Sequence, residues 1–293
     1  MQPLRRTFLL AGLALAASCA HPDPLGSVFG GGTTSPPPPP PPPAPGPTFS
    51  TDDLMGDWVG QLIPDSELRS PRNFYLRFAS DQLTESADSR GNEWRLDNSD
   101  RTFTFAASGA LQVEMAQVLG TNSMSLTGQM DESLSVITGT WTWIGPDNFP
   151  VTGSFELIRS SGPDMYDVAG LEGNWRGPGA NPFDRTQILD LNLDATGTVV
   201  DGTMIRTDLG TVRRTYSAGA ATFTFFDSAI GRMENVVLTA DGGVPAGIGG
   251  GETSTFTYLL VDPDYTLIGG PGVDSQFGSG VVTLERQPAG GGE

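Results

Sequence analysis

Leu54-Met55-Gly56-Asp57-Trp58-Val59-Gly60 reappears 117 positions later as Leu171-Glu172-Gly173-Asn174-Trp175-Arg176-Gly177. Two further stretches repeat in the same order. Thr102-Phe103-Thr104-Phe105 returns as Thr222-Phe223-Thr224-Phe225, and Gly153-Ser154-Phe155-Glu156-Leu157-Ile158-Arg159 returns as Gly280-Val281-Val282-Thr283-Leu284-Glu285-Arg286. Ordered matches at slowly growing offsets mark a duplication with loop insertions, one of them the glycine-rich stretch 241–251. The copies are placed at 50–162 and 163–288, with a short tail at 289–293. Each holds a full set of strand-like runs, so each is expected to fold alone.

Within a copy the hydrophobic period is two. Phe74, Leu76 and Phe78 alternate with Tyr75 and Arg77; Leu189, Leu191 and Leu193 alternate with Asp190, Asn192 and Asp194. Phe256, Tyr258 and Leu260 interleave with Thr255 and Thr257 as one face. The runs are short and rich in Thr, Val and aromatics, and turn sequences such as Asp194-Ala195-Thr196-Gly197 bound them. No stretch after residue 50 sustains an amphipathic helix. The pattern predicts an all-β chain of two tandem antiparallel up-and-down barrels of about eight strands each, with a β-sandwich as the alternative.

A Gly-x-Trp in the first strand and a Leu-x-Arg in the last are similar to the calycin signature of lipocalins and their relatives. Gly56-Asp57-Trp58 pairs with Leu157-Ile158-Arg159, and Gly173-Asn174-Trp175 with Leu284-Glu285-Arg286. The resemblance implies barrels whose first and last strands are neighbours. Arg159 would then lie across Trp58, and Arg286 across Trp175, within about 6 Å. The middle lipocalin motif is absent from copy one, and Asp264-Tyr265 after Pro263 in copy two is equally a turn. Inward Phe74, Leu76, Phe78, Phe103 and Phe105 would either fill a barrel or line a mouth for a small apolar ligand. Trp141 and Trp143 share one strand face, which suits either packing or a sugar- or lipid-binding surface.

Ahead of the repeats lies an address. Arg5-Arg6 precede an apolar run from Phe8 to Ala17, too short to span a membrane, and Ala16-Ala17-Ser18 lead into the only cysteine, Cys19. This resembles the bacterial lipobox, with Leu15 one place earlier than usual. Residues 1–18 are therefore expected to be a signal peptide and Cys19 the lipidated mature N-terminus. Arg5-Arg6-Thr7-Phe8-Leu9-Leu10 also resembles a twin-arginine export signal. Ala20 in place of an inner-membrane retention Asp points to the outer membrane. Residues 19–49 form a Gly/Pro-rich linker, expected to be a disordered stalk. Its twelve residues from Pro36 to Pro47 would extend roughly 37 Å as polyproline II.

The 293 residues hold 34 acidic and 16 basic side chains, every basic one Arg, for a net charge of −18. Such a chain is repelled by phosphate backbones, so nucleic acid is excluded as a partner. Arg213-Arg214 is too short for a basic patch. His21, the one histidine, sits beside the anchor, so the repeats lack His and Cys and with them Ser-His-Asp chemistry, Cys-His chemistry and ordinary zinc sites. No catalytic, metal or cofactor residues are assigned. Asp97/Asp100 and Asp262/Asp264 could in principle serve a carboxylate-based glycan hydrolase, but lie in turn sequence where Asp caps the backbone. A non-enzymatic envelope lipoprotein with a structural or protein-interaction role is the leading expectation. Lipocalin-like binding of a small apolar ligand is the alternative.

Overall fold

The computed structural model describes residues 46–67, 69–79, 82–95, 102–118, 120–178, 187–207, 210–243, 251–276 and 278–288. Residues 1–45, with the expected signal peptide, Cys19, His21 and most of the expected linker, and residues 289–293 lie outside them. Copy one opens on a one-turn helix, α1, Thr51–Leu54. Its strands are β1 Gly56–Pro64, β2 Arg72–Ala79, β3 Gln82–Asp88, β4 Glu93–Arg95, β5 Thr102–Phe105, β6 Ala110–Ala116, β7 Ser123–Met130, β8 Val136–Ile144 and β9 Pro150–Arg159. Copy two opens on a 3-10 turn, Val168–Leu171. Its strands are β10 Gly173–Pro178, β11 Gln187–Leu193, β12 Val199–Arg206, β13 Thr211–Tyr216, β14 Phe225–Asp227, β15 Arg232–Thr239, β16 Gly242–Gly243, β17 Thr253–Val261, β18 Leu267–Asp274 and β19 Gly278–Arg286.

The protein is all-β: two curled antiparallel sheets, half-barrels, in tandem. The first has nine strands in the order β4-β3-β2-β1-β9-β8-β7-β6-β5; the second has ten, β14-β15-β17-β18-β19-β10-β11-β12-β13-β16. In each the first and last long strands are neighbours; the first sheet is a meander opened in its middle, and in the second the short β16 leaves the meander to pair with β13. Among the described residues no ladder joins β4 to β5. Val118 just past β6 donates its N–H to Glu93 O of β4 at 3.2 Å, which draws the two edges together.

The period-two pattern sets the curl. β9 alternates strictly between exposed and buried over most of its length, and its buried residues Phe155 and Leu157 join the core of copy one. First and last strands approach closely because glycine stands between them. A Cβ on Gly60 would lie 1.9 Å from Glu156 O, and one on Gly177 would lie 1.9 Å from Thr283 O. Both copies depend on glycine at the same place.

β2 breaks the pattern, since its residues from Arg72 to Leu76 are all buried. Its inner face, Phe74, Leu76 and Phe78, belongs to the core of copy one, whereas Tyr75, with Val59 and Ala87, packs into the core of copy two. Asn73 donates through Nδ2 to Leu260 O at 2.7 Å and Leu267 O at 2.8 Å. Arg232 on β15 meets the Tyr75 hydroxyl at 2.9 Å and ion-pairs with Glu85, Glu93 and Glu234. Arg77 pairs with Asp227 at 2.6 Å. The copies share a buried, hydrogen-bonded interface and fall in one compact unit.

That interface corrects one expectation. Phe256, Tyr258 and Leu260 do not share a face, because the β17–β18 register shifts between Phe256 and Leu260. Asn235, at φ 53° on the facing strand, marks the same irregularity. A bulge turns every later side chain over. Phe256 stays inside copy two, while Tyr258 stands on copy one, its hydroxyl donating to Asp88 O at 2.9 Å.

Candidate functional site

Each half-barrel has two ends, and one end is the same in both copies. Trp58 and Trp175 are fully buried, and their indole Nε1 groups donate to Leu54 O at 2.8 Å and Leu171 O at 2.7 Å. The preceding turn requires Gly56 at φ +118° and Gly173 at φ +133°, a region that penalises any side chain. Register pairs Trp58 with Arg159 and Trp175 with Arg286. The guanidinium carbons lie 5.3 and 5.6 Å from the respective indole centroids, a contact worth about 0.5–2 kcal/mol by degree of desolvation. Arg159 also donates to Asp53 O and Met55 O, and Arg286 to Glu172 O. This end is a plug: its guanidinium groups hold main-chain carbonyls.

The opposite ends carry charge indoors. Arg72 opens β2 on the inward register of Phe74 and is 2% exposed. Its one hydrogen bond among the described residues runs from Nη1 to Asp88 Oδ2, at a long 3.3 Å, and its Nε is buried without a partner. Asp88 is itself well supplied: Arg90 N, Asn92 N and Asn92 Nδ2 all donate to it. Asn122 Nδ2 in turn donates to Asn92 Oδ1 at 3.2 Å. Two indoles flank the guanidinium, with Trp141 at 5.3 Å and Trp143 at 5.6 Å from Cζ to centroid. Trp141 is tied down by Nε1 donating to Ser154 O at 3.0 Å. Trp143 is half-buried, and its Nε1 has no acceptor among the described residues. Burial outweighs the pull of Asp88 and holds the Arg72 guanidinium below its ordinary pKa.

In copy two the place of Arg72 falls to Gln187, because Leu76 faces Trp58 as Leu191 faces Trp175. Gln187 is buried, and neither amide atom has a partner among the described residues. The inward cation here is Arg214 on β13, which grips Asp274 through both Nη atoms at 2.6 and 3.0 Å and Glu252 through Nε at 2.5 Å. Ser254 Oγ adds a bond to Asp274 at 2.7 Å. Burial pulls the Arg214 guanidinium down, but Asp274 and Glu252 outweigh it and hold it above its ordinary value. Burial likewise raises the Asp274 carboxyl, yet the bonds from Arg214 and Ser254 leave it below its ordinary value. Burial pushes the nearby Tyr216 phenol up to about 12.

No family model matches this chain, and no curated protein matches it. Among solved structures it is similar to a crystal structure of a protein of unknown function from the DUF3598 family of Nostoc punctiforme. The identity is 14%, over 80% of this chain and 97% of that one, with a TM-score of 0.24.

The remaining sequence candidates fall in three places. Phe74, Leu76 and Phe78 are buried in copy one, with half-buried Phe103 and Phe105 packed against them. Phe78 and Phe103 meet edge to face at 5.2 Å, and Phe49 and Phe105 at 6.3 Å. Trp141 and Trp143 stand over Arg72. Asp262 accepts from Thr266 N, Thr266 Oγ1 and Leu267 N and so closes the β17–β18 turn, while Asp264 is exposed beside it. Asp97 and Asp100 lie outside the described residues. Sequence reasoning missed Arg72, Asp88, Asn92, Arg214 and Asp274. A usable signal was present for Arg72, whose parity with Phe74, Leu76 and Phe78 sets a cation on an inward register.

Proposed function

We propose that this chain is a non-enzymatic lipoprotein of the cell envelope. It is held through Cys19, in the outer membrane, and presents its paired half-barrels as a rigid head for structural or protein contacts. The observation that carries the reading is the packing of copy one. The side chains that would have to line a hollow lumen, Phe74, Leu76, Phe78, Phe103 and Phe105, belong to one packed cluster. The ion pairs between the copies support a head that moves as one body. The lipobox pattern before Cys19 supports the anchor, and the stacked Trp–Arg pairs support the likeness to calycins. Such a head offers its outer surface and loops, where Phe149 and Phe226 stand exposed.

Two measurements test this. Cys19→Ser should release the chain from the membrane fraction or leave the precursor unprocessed, and intact-mass analysis of the wild type should show acylation at Cys19. Native mass spectrometry of the released protein should show the polypeptide without a bound lipid. An unmodified thiol would overturn the anchor, and a co-purified apolar molecule without an acid group would overturn the filled interior.

A further inference from the structure

The polar end of copy one has the makings of a site that its packed core lacks. A guanidinium buried to 2% ordinarily needs acceptors for most of its five N–H groups. Arg72 has one, at 3.3 Å, from a carboxylate already engaged by Arg90 and Asn92. Among the described residues its Nε and the Trp143 Nε1 are buried donors without acceptors, and Asn122 Oδ1 is a buried acceptor without a donor. Asp88 balances the charge of Arg72 in number, but its oxygens are turned to the Asp88–Asn92 turn. Copy two is the internal control, since two carboxylates close on Arg214 there and leave it no deficit.

We propose that the Arg72–Trp143 end of copy one binds the carboxylate group of a small organic acid. A carboxylate is planar, anionic and acceptor-only, and it matches the Nε–Nη edge of a guanidinium through two parallel hydrogen bonds. Trp143 Nε1 supplies a third donor. The apolar part of the acid lies along the half-buried indole of Trp143, the one of the two flanking indoles that no hydrogen bond fixes. Trp141, held to Ser154, stays as the wall behind. Entry requires Trp143 to swing on its strand end, which its partial exposure allows. The site takes a head group at the rim, so it coexists with a filled core.

The test uses the full chain carrying Cys19→Ser, labelled with 15N at its five tryptophans. Indole N–H resonances are followed on adding sodium acetate, sodium octanoate, octanol or inorganic phosphate, with Trp143 assigned by Trp143→Phe. The expected result is a saturable shift of the Trp143 resonance with acetate and octanoate, tighter for octanoate, and none with octanol. Arg72→Met should abolish the shift, and Arg72→Lys should weaken it at least tenfold by removing the fork. Should Arg72→Met fail to fold, Trp143→Phe tests the site by titrating octanoate against the Trp141 resonance, with several-fold weaker binding expected. A Trp143 resonance unmoved by either carboxylate overturns the proposal. So does a response that octanol reproduces, one that survives in folded Arg72→Met, or one that only phosphate elicits.

Discussion

At the Trp58 and Trp175 ends the two copies match group for group, with the same glycine turn, indole-to-carbonyl bond and stacked Arg. At the opposite ends they part. Copy one buries Arg72 with a single long bond to Asp88, and copy two buries Arg214 between Asp274 and Glu252. The matched end is where the seams β1–β9 and β10–β19 begin, with the Trp–Arg pair in register across each. The far end of copy one holds no such pair across its seam, and two different charge arrangements satisfy the same curl. A duplicated fold thus holds its geometry at one end and is free to vary its chemistry at the other.

The largest expected effects come from the matched end and should be alike in both copies. Trp58→Ala and Trp175→Ala each remove a fully buried indole and should each cost about 3–5 kcal/mol in urea denaturation. A cost in one copy less than half that in the other would break the equivalence. Next is the interface. Arg232→Met leaves Glu85, Glu93 and Glu234 facing the other copy without their shared cation and should cost about 2–3 kcal/mol. The wild type should unfold in one cooperative transition, and this variant should separate the copies into two. Two transitions already present in the wild type would return the copies to independent folding.

The smallest effect is titration. Asp274 is held below its ordinary value in the fold, so its contribution to stability is complete above the unfolded carboxylate pKa. That contribution is lost as pH falls through the lower folded value. Melting temperatures at pH 5 and pH 3 should therefore fall more steeply for the wild type than for Asp274→Asn. Equal slopes would remove Asp274 from the acid limb.

Much of the fold was legible because strands with one face in a core write their register into the sequence. Phe74, Leu76 and Phe78, and Phe155 and Leu157, all point where a period of two sends them. The duplication was legible because Gly60 and Gly177 leave no room for a Cβ and Gly56 and Gly173 sit at a positive φ that strains any other residue, so the motif has little room to drift. What escaped were places where both faces of a strand are buried. Tyr75 alternates correctly with the core yet is buried against the other copy, and nothing local distinguishes it from a solvent-facing tyrosine. The bulge after Phe256 leaves the sequence alternating while the backbone does not. The polar end escaped for another reason: Arg72, Asp88 and Asn92 come together through pairing of β2 with β3 and the turn beyond, and a charged residue on an inward register is visible only once its partner strand is known.

The most direct test of the difference between the copies is the stability of Arg72→Met against Arg214→Met by urea denaturation under one set of conditions. Arg214→Met leaves two carboxylates, Asp274 and Glu252, without the cation they share, although Ser254 and Gln276 still donate to Asp274, and should cost about 3–5 kcal/mol. Arg72→Met removes an under-paired cation and leaves one carboxylate, Asp88, which keeps its bonds from Arg90 and Asn92, so the cost should be clearly smaller than that of Arg214→Met. Equal costs for the two variants would contradict an under-neutralised Arg72.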